Sequence, residues 1–166
     1  MKFITDDLSL KLCDNKERFA AAVNYFADGE IQNSFFLAPV TVGSDVYGKE
    51  YWEGFAKVLV KRGILKLGDD KQKVLHWLED LNWPGSGEII ELVSQNLNDF
   101  KPDIIVCLSA AFESRDIIWF KNMLSLFYDK SEYVKTIVDY LDDDCWKDFD
   151  DKIKLTDLFS ELKSCV

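Results

Sequence analysis

At 166 residues the chain can bury one substantial core and is too short for two ordinary domains. A hydrophobic fraction of 48% with 30% charged residues excludes a disordered polypeptide, and 14% aromatic residues promise a ring-rich interior. The formal charge of −10 speaks against a nucleic-acid backbone or an anionic membrane surface, which need clustered Lys and Arg, and favours a basic protein partner.

Taken in order, the elements are helical. Phe19, Val23 and Phe26 recur at helical spacing over 14–28, and Gly29 stops the run. Residues 29–49 differ: Phe35, Phe36, Val40 and Val42 stand among Pro39, Gly43 and Gly48. They read as a long connection or a small extended excursion that either packs its phenylalanines onto the helices or has a function. Trp52, Phe55, Val58 and Leu59 mark a helix over 50–62 that Gly63 ends. Asp69 and Gln72 have the spacing of a capping box for the next helix, which carries Val74, Leu75, Trp77, Leu78 and Leu81. Asn82-Trp83-Pro84-Gly85 terminates it, with Asn82 as a left-handed cap and Trp83 wedged at the corner.

Ser86 is placed to cap a helix with Ile89, Ile90, Leu92, Val93 and Leu97 on its apolar face. Pro102 suits the first position of a helix over 102–112. Ser114 is placed to cap a helix through Tyr128, Asp129 and Glu132 one through Leu141, and a last helix occupies 155–163. Short helices on tight turns predict a mainly all-α chain of stacked antiparallel hairpins, a short α-solenoid. Leu75-His76-Trp77 echoes Ile117-Ile118-Trp119 at an offset of 42, a HEAT-type period.

The run from Val74 through Leu75-His76-Trp77-Leu78-Glu79-Asp80-Leu81-Asn82-Trp83-Pro84 resembles a signature, W-L-x-D-x-N-W-P, of a family of bacterial HEAT-like helical domains. Asp116-Ile117-Ile118-Trp119 through Leu126 is similar to the family's downstream half. The likeness covers 69–142 of a single domain spanning 1–166, with 1–68 as an N-terminal extension. Relatives of that kind occur among immunity proteins of polymorphic toxin and contact-dependent growth inhibition systems. The resemblance therefore implies a cytoplasmic inhibitor of a cognate toxin, with no catalytic residues to transfer.

The sequence carries few residues arranged for chemistry. His76 is the only histidine and falls towards the polar side of its helix, so a Ser-His-Asp or Cys-His arrangement would have to use this one residue. No phosphate-cradling glycine motif occurs. Cys13, Cys107, Cys145 and Cys165 form no C-x-x-C pair and read as reduced thiols, with Cys107 a buried hydrophobe. The N-terminus does not have the pattern of a signal peptide, and no window is apolar enough to span a membrane. An enzyme using a divalent metal on paired carboxylates would need acids converging from several helices, which no helical spacing here supports.

The strongest local feature is acidic. From Asp139 to Asp151, seven acids face one base, Lys147, and Trp146 and Phe149 interleave them. An EF-hand loop fails at either start: from Asp142 the fifth position is Trp146, and from Asp144 the third is Trp146. The candidate partner-binding residues are therefore Asp142, Asp143, Asp144, Asp148, Asp150 and Asp151 around Trp146 as apolar anchor, with no catalytic residue, metal or cofactor. The bland reading is a solvated loop; the sharper one is a docking patch for a basic toxin domain such as a nuclease. The chain would then be a monomer alone and a heterodimer with its toxin. The alternative is a helical-repeat adaptor that docks a non-toxin host protein through an apolar groove.

Overall fold

The computed structural model describes residues 3–9, 13, 15–37 and 47–127. The chain divides into two compact units, Met1–Met123 and Leu124–Val166, and the packing below is that of the first. Among the described residues all regular structure is helical and no strand occurs, in agreement with an all-α reading.

Helix α1 spans Lys16–Asp28. It starts where the Asn15 carboxamide accepts the Glu17 and Arg18 amides at 2.8 and 3.1 Å, filling two of the donors a helix start leaves open. Phe19, Ala22, Val23 and Phe26 are buried along one face, and α1 packs on α2, Trp52–Leu67. A 3₁₀ turn, Thr5–Leu8, is pinned to both helices. Asp7 receives the Arg18 guanidinium through Nε and Nη2 at 2.5 and 2.8 Å, and this hydrogen bond holds its carboxyl below the usual carboxylate range. Asp6 accepts the Tyr51 hydroxyl at 2.9 Å, which pushes the phenol up. Gly54 lets this turn lie directly on α2, because a Cβ there would run into the Leu8 carbonyl.

Within 29–49, Asn33–Phe36 form a 3₁₀ turn rather than an extended stretch, and residues 38–46 lie outside the described ones. Phe36 is buried with its ring 6.2 Å from Phe26 and 5.6 Å from Phe55, so the phenylalanines do pack onto the helices. As expected, Gly63 ends the helical run that Trp52 opens. That residue takes φ 70° and ψ 174°, breaks the helical geometry, and the chain resumes one more turn to Leu67. Only 9% of Arg62, just before the break, is exposed. Its Nη1 donates to Asn33 Oδ1 at 2.7 Å and its Nη2 to the Phe26 and Gly29 carbonyls at 2.9 and 3.4 Å. A buried cation thus closes the C-terminal end of α1, where carbonyls and the helix dipole favour positive charge. Lys66 Nζ adds a bond to Ala27 O at 3.1 Å.

The helix expected up to Asn82 is broken in two: α3, Lys71–Val74, then a 3₁₀ stretch, Leu75–Glu79. The Asp69–Gln72 capping box does not form. Asp70 instead pairs with Lys73 at 2.8 Å, and neither acid caps the helix. Helices α4, Ser86–Gln95, and α5, Leu97–Glu113, are separated by Asn96 alone. Pro102 therefore lies inside α5 rather than at its first position, where its missing N–H deprives only a first-turn carbonyl. Ser114 does not open α6, Ile117–Ser125; its hydroxyl donates back to Ala110 O at 2.8 Å, and Asp116 caps α6 by accepting the Trp119 amide at 2.9 Å. Packing runs α1 on α2, α2 on α4, α3 on α5 and α4 on α5.

Candidate functional site

The expected docking residues Asp142, Asp143, Asp144, Trp146, Asp148, Asp150 and Asp151 lie outside the described residues, as do the helices expected through Leu141 and over 155–163. Two places in the first unit gather polar and aromatic groups, and sequence reasoning had assigned neither a site.

The first is the corner after the 3₁₀ stretch Leu75–Glu79. Trp77 is fully buried and its indole donates to Pro84 O at 3.0 Å. Ser86 is not a helix cap. Its hydroxyl meets the carbonyls of Trp77 and Asp80 at 3.0 and 3.1 Å, leaving the N-cap position to Gly85 at φ 91°. Gly85 is required twice over: its φ is left-handed, and a Cβ would come within 2.5 Å of the Ala56 methyl and 3.0 Å of the Trp52 carbonyl on α2. Nor is Asn82 left-handed. Asp80 Oδ1 accepts both its amide and its carboxamide, at 2.9 and 3.0 Å, and this Asx turn reverses the chain. The Asn-Trp-Pro run is thus mainly architectural, as read from sequence. Trp83, however, is only half-buried and meets Trp52 edge-on, with centroids 5.2 Å apart. Lys49 Nζ stands 5.5 and 5.7 Å from the two ring centroids. On the same α2–α4 seam, Lys57 bridges Glu53 at 3.0 Å and Glu88. Burial works against its charge, but the two carboxylates outweigh it and hold the ammonium above its usual range.

The second place surrounds His76. It is half-buried rather than surface-exposed, its Nδ1 lies 2.5 Å from Glu79 Oε1, and its ring stacks 4.9 Å from Trp119 at the start of α6. Asn122 donates to the Leu78 carbonyl at 2.8 Å. The two halves of the sequence echo, His76-Trp77 and Ile118-Trp119, therefore touch. No nucleophile appears in this contact, and among the described residues no three His, Cys, Asp or Glu side chains gather as metal ligands. Cys107 is buried as expected, with Sγ 3.8 Å from Gln72 O, and burial pushes its thiol up to about 12, far from a reactive thiolate.

A signal for the His76–Glu79 pair was present in its spacing of three on one helical face. None announced the Lys49–Trp83 or the Arg62–Asn33 contact, which join residues 34 and 29 positions apart.

The family described as "Domain of unknown function (DUF5071)" matches residues 56–151, more than half of the chain. The chain belongs to this family. The DUF5071 span takes in Trp77, Trp83, Gly85, Ser86, His76 and Trp119, and starts after Lys49 and Trp52. It also reaches further in both directions than the 69–142 inferred from the signature. No curated protein and no solved structure matches the chain. No helix among the described residues is long and apolar enough to cross a membrane.

Proposed function

We propose that this protein is a cytoplasmic immunity protein that binds and neutralises a cognate basic toxin domain, such as a nuclease, without catalysis. The observation that carries the reading is the segment Asp139–Asp151, with seven acids against Lys147 and with Trp146 and Phe149 set among them, in a chain of charge −10. A nuclease site is basic because its substrate is a polyanion, and an acidic face speeds encounter with it to about 10⁸ M⁻¹s⁻¹ at low salt. The first unit adds support. Arg18, Lys57, Lys71 and Lys73 end on carboxylates, and Arg62 and Lys66 on main-chain carbonyls, so these cations are engaged internally and leave acidic excess elsewhere uncompensated. Successive packing of α1, α2 and α4 supports the finer architecture, stacked HEAT-like hairpins.

The adaptor reading has one observation of its own. Leu65 is 97% exposed and Ile118 67%, apolar surface of the kind a protein partner covers.

The deciding experiment is capture of partners by the full chain at two salt concentrations, read by mass spectrometry. A small basic toxin domain, retained at low salt and lost at high salt, is the expected result. Reversing Asp142, Asp143, Asp144, Asp148, Asp150 and Asp151 to Lys should then abolish capture and cell protection. A housekeeping protein held at both salts moves the assignment to the adaptor.

A further inference from the structure

We infer that the right angle between Trp52 and Trp83 is a cation-accepting contact site, which takes a lysine or arginine side chain of the basic partner in place of Lys49; this rests on the toxin-binding reading above. The two rings meet at an interplanar angle of 80° with centroids 5.2 Å apart. Lys49 Nζ, 5.5 and 5.7 Å from them, lies within cation–π range of both faces. Lys49 is exposed and follows Gly48 in the turn that opens α2, where the Trp52 amide donates to its carbonyl at 3.3 Å. Glu50 and Glu53 are one and four residues away, yet among the described residues Lys49 pairs with neither and sits over the rings. The chain's own ammonium thus demonstrates which chemistry this angle holds.

Three features fit an exchangeable occupant rather than a fixed strut. Lys49 is anchored only at its backbone, so its four-carbon stem can leave without disturbing α2. Trp83 is half-buried, so one side of the angle faces water. Glu53 and Glu88 on the adjoining seam share a single cation, Lys57, which leaves a net negative surround for an incoming positive group. Arginine suits the angle better than lysine, because a guanidinium is less strongly hydrated and stacks flat on indole. In the free chain Lys49 shields the rings from water and competes with the partner's cation. Its removal deletes both the competitor and a like charge.

The test uses the full chain labelled at the tryptophan indole nitrogens, titrated with a hexa-arginine peptide and, separately, hexa-lysine. Saturable shifts of the Trp52 and Trp83 signals are expected, with that of Trp119 still and hexa-arginine the tighter ligand. Lys49→Gln should tighten hexa-arginine about threefold, and Trp83→Leu should weaken it by a similar factor. Because Trp83→Leu can loosen the corner, the exposed Lys49→Gln variant decides. Unchanged or weaker binding there overturns the proposal, as do unmoved Trp52 and Trp83 signals while peptide binds elsewhere. If the partner capture yields a basic toxin domain but these two signals stay still, the site fails and the function stands. If they shift and no basic protein is ever captured, the cation site stands and the toxin reading fails.

Discussion

Ser86 carries more of the fold than its size suggests. One hydroxyl, fully buried, meets the carbonyls of Trp77 and Asp80, the second of which also accepts the Trp83 amide at 3.0 Å. Removing it takes this donor from the buried Trp77 carbonyl, and a buried acceptor that loses its donor costs the desolvation that water had spared it. Ser86→Ala is therefore expected to lower the unfolding free energy by about 1–3 kcal/mol, read from urea melts as a shifted midpoint with unchanged slope. The Ser86 position was legible in the sequence as the start of α4, but its partners were not. A serine before an apolar run reads as a cap, and only the fold reveals that the hydroxyl points backwards across the turn. Ser114 repeats the lesson at α6, where Asp116 holds the cap and the serine closes the preceding helix.

Between elements, the closest approach is that of the Thr5–Leu8 turn to α2 over Gly54. A methyl added there meets main chain, which cannot swing aside as a side chain would. Gly54→Ala should then lift the turn off α2, strain the Asp6–Tyr51 and Asp7–Arg18 bonds, and cost about 1–3 kcal/mol. Hydrogen exchange at Asp7 and Ser9 checks the cause, because protection should fall there first. The existence of α1, α2, α4 and α5 was readable from apolar spacing, since burial of one face dictates it. Their limits were not. Gly63 does stop the run, and what the spacing hides is the further turn to Leu67, whose side chain is 1% exposed. Pro102 looked like a start, yet Leu97 and Phe100 ahead of it are buried and extend α5 backwards. At Pro102 tertiary packing overrides the local punctuation. Lys49, Trp52 and Trp83 could not be joined from sequence at all, because the Asx turn at Asp80 and the left-handed Gly85 set where Trp83 falls.

At the scale of the molecule, charge and interior are separately arranged. The core is aromatic and aliphatic, and among the described residues the deeply placed cation Arg62 meets carbonyls and Asn33 through its Nη atoms rather than an acid, while its Nε has no hydrogen-bond partner. Burial lowers its affinity for a proton, but a guanidinium remains charged throughout. Arg62 therefore neutralises none of the acids behind the negative field that the proposed function invokes. The family span, 56–151, includes both the corner at Trp83 and the acid-rich segment, so one stretch of chain holds the architecture and the proposed contact.

Cys107 gives the folded state its own clock. Its sulfur is sealed where α5 crosses α3, beside the Gln72 carbonyl, so an alkylating reagent reaches it only when that crossing parts. Half-exposed Cys13 needs no such event. Pulses of iodoacetamide followed by peptide mass spectrometry should find Cys13 modified promptly and Cys107 at the pace of global unfolding. Equal rates at the two would mean that the α3–α5 crossing breathes on its own, with the rest of the helices still in place.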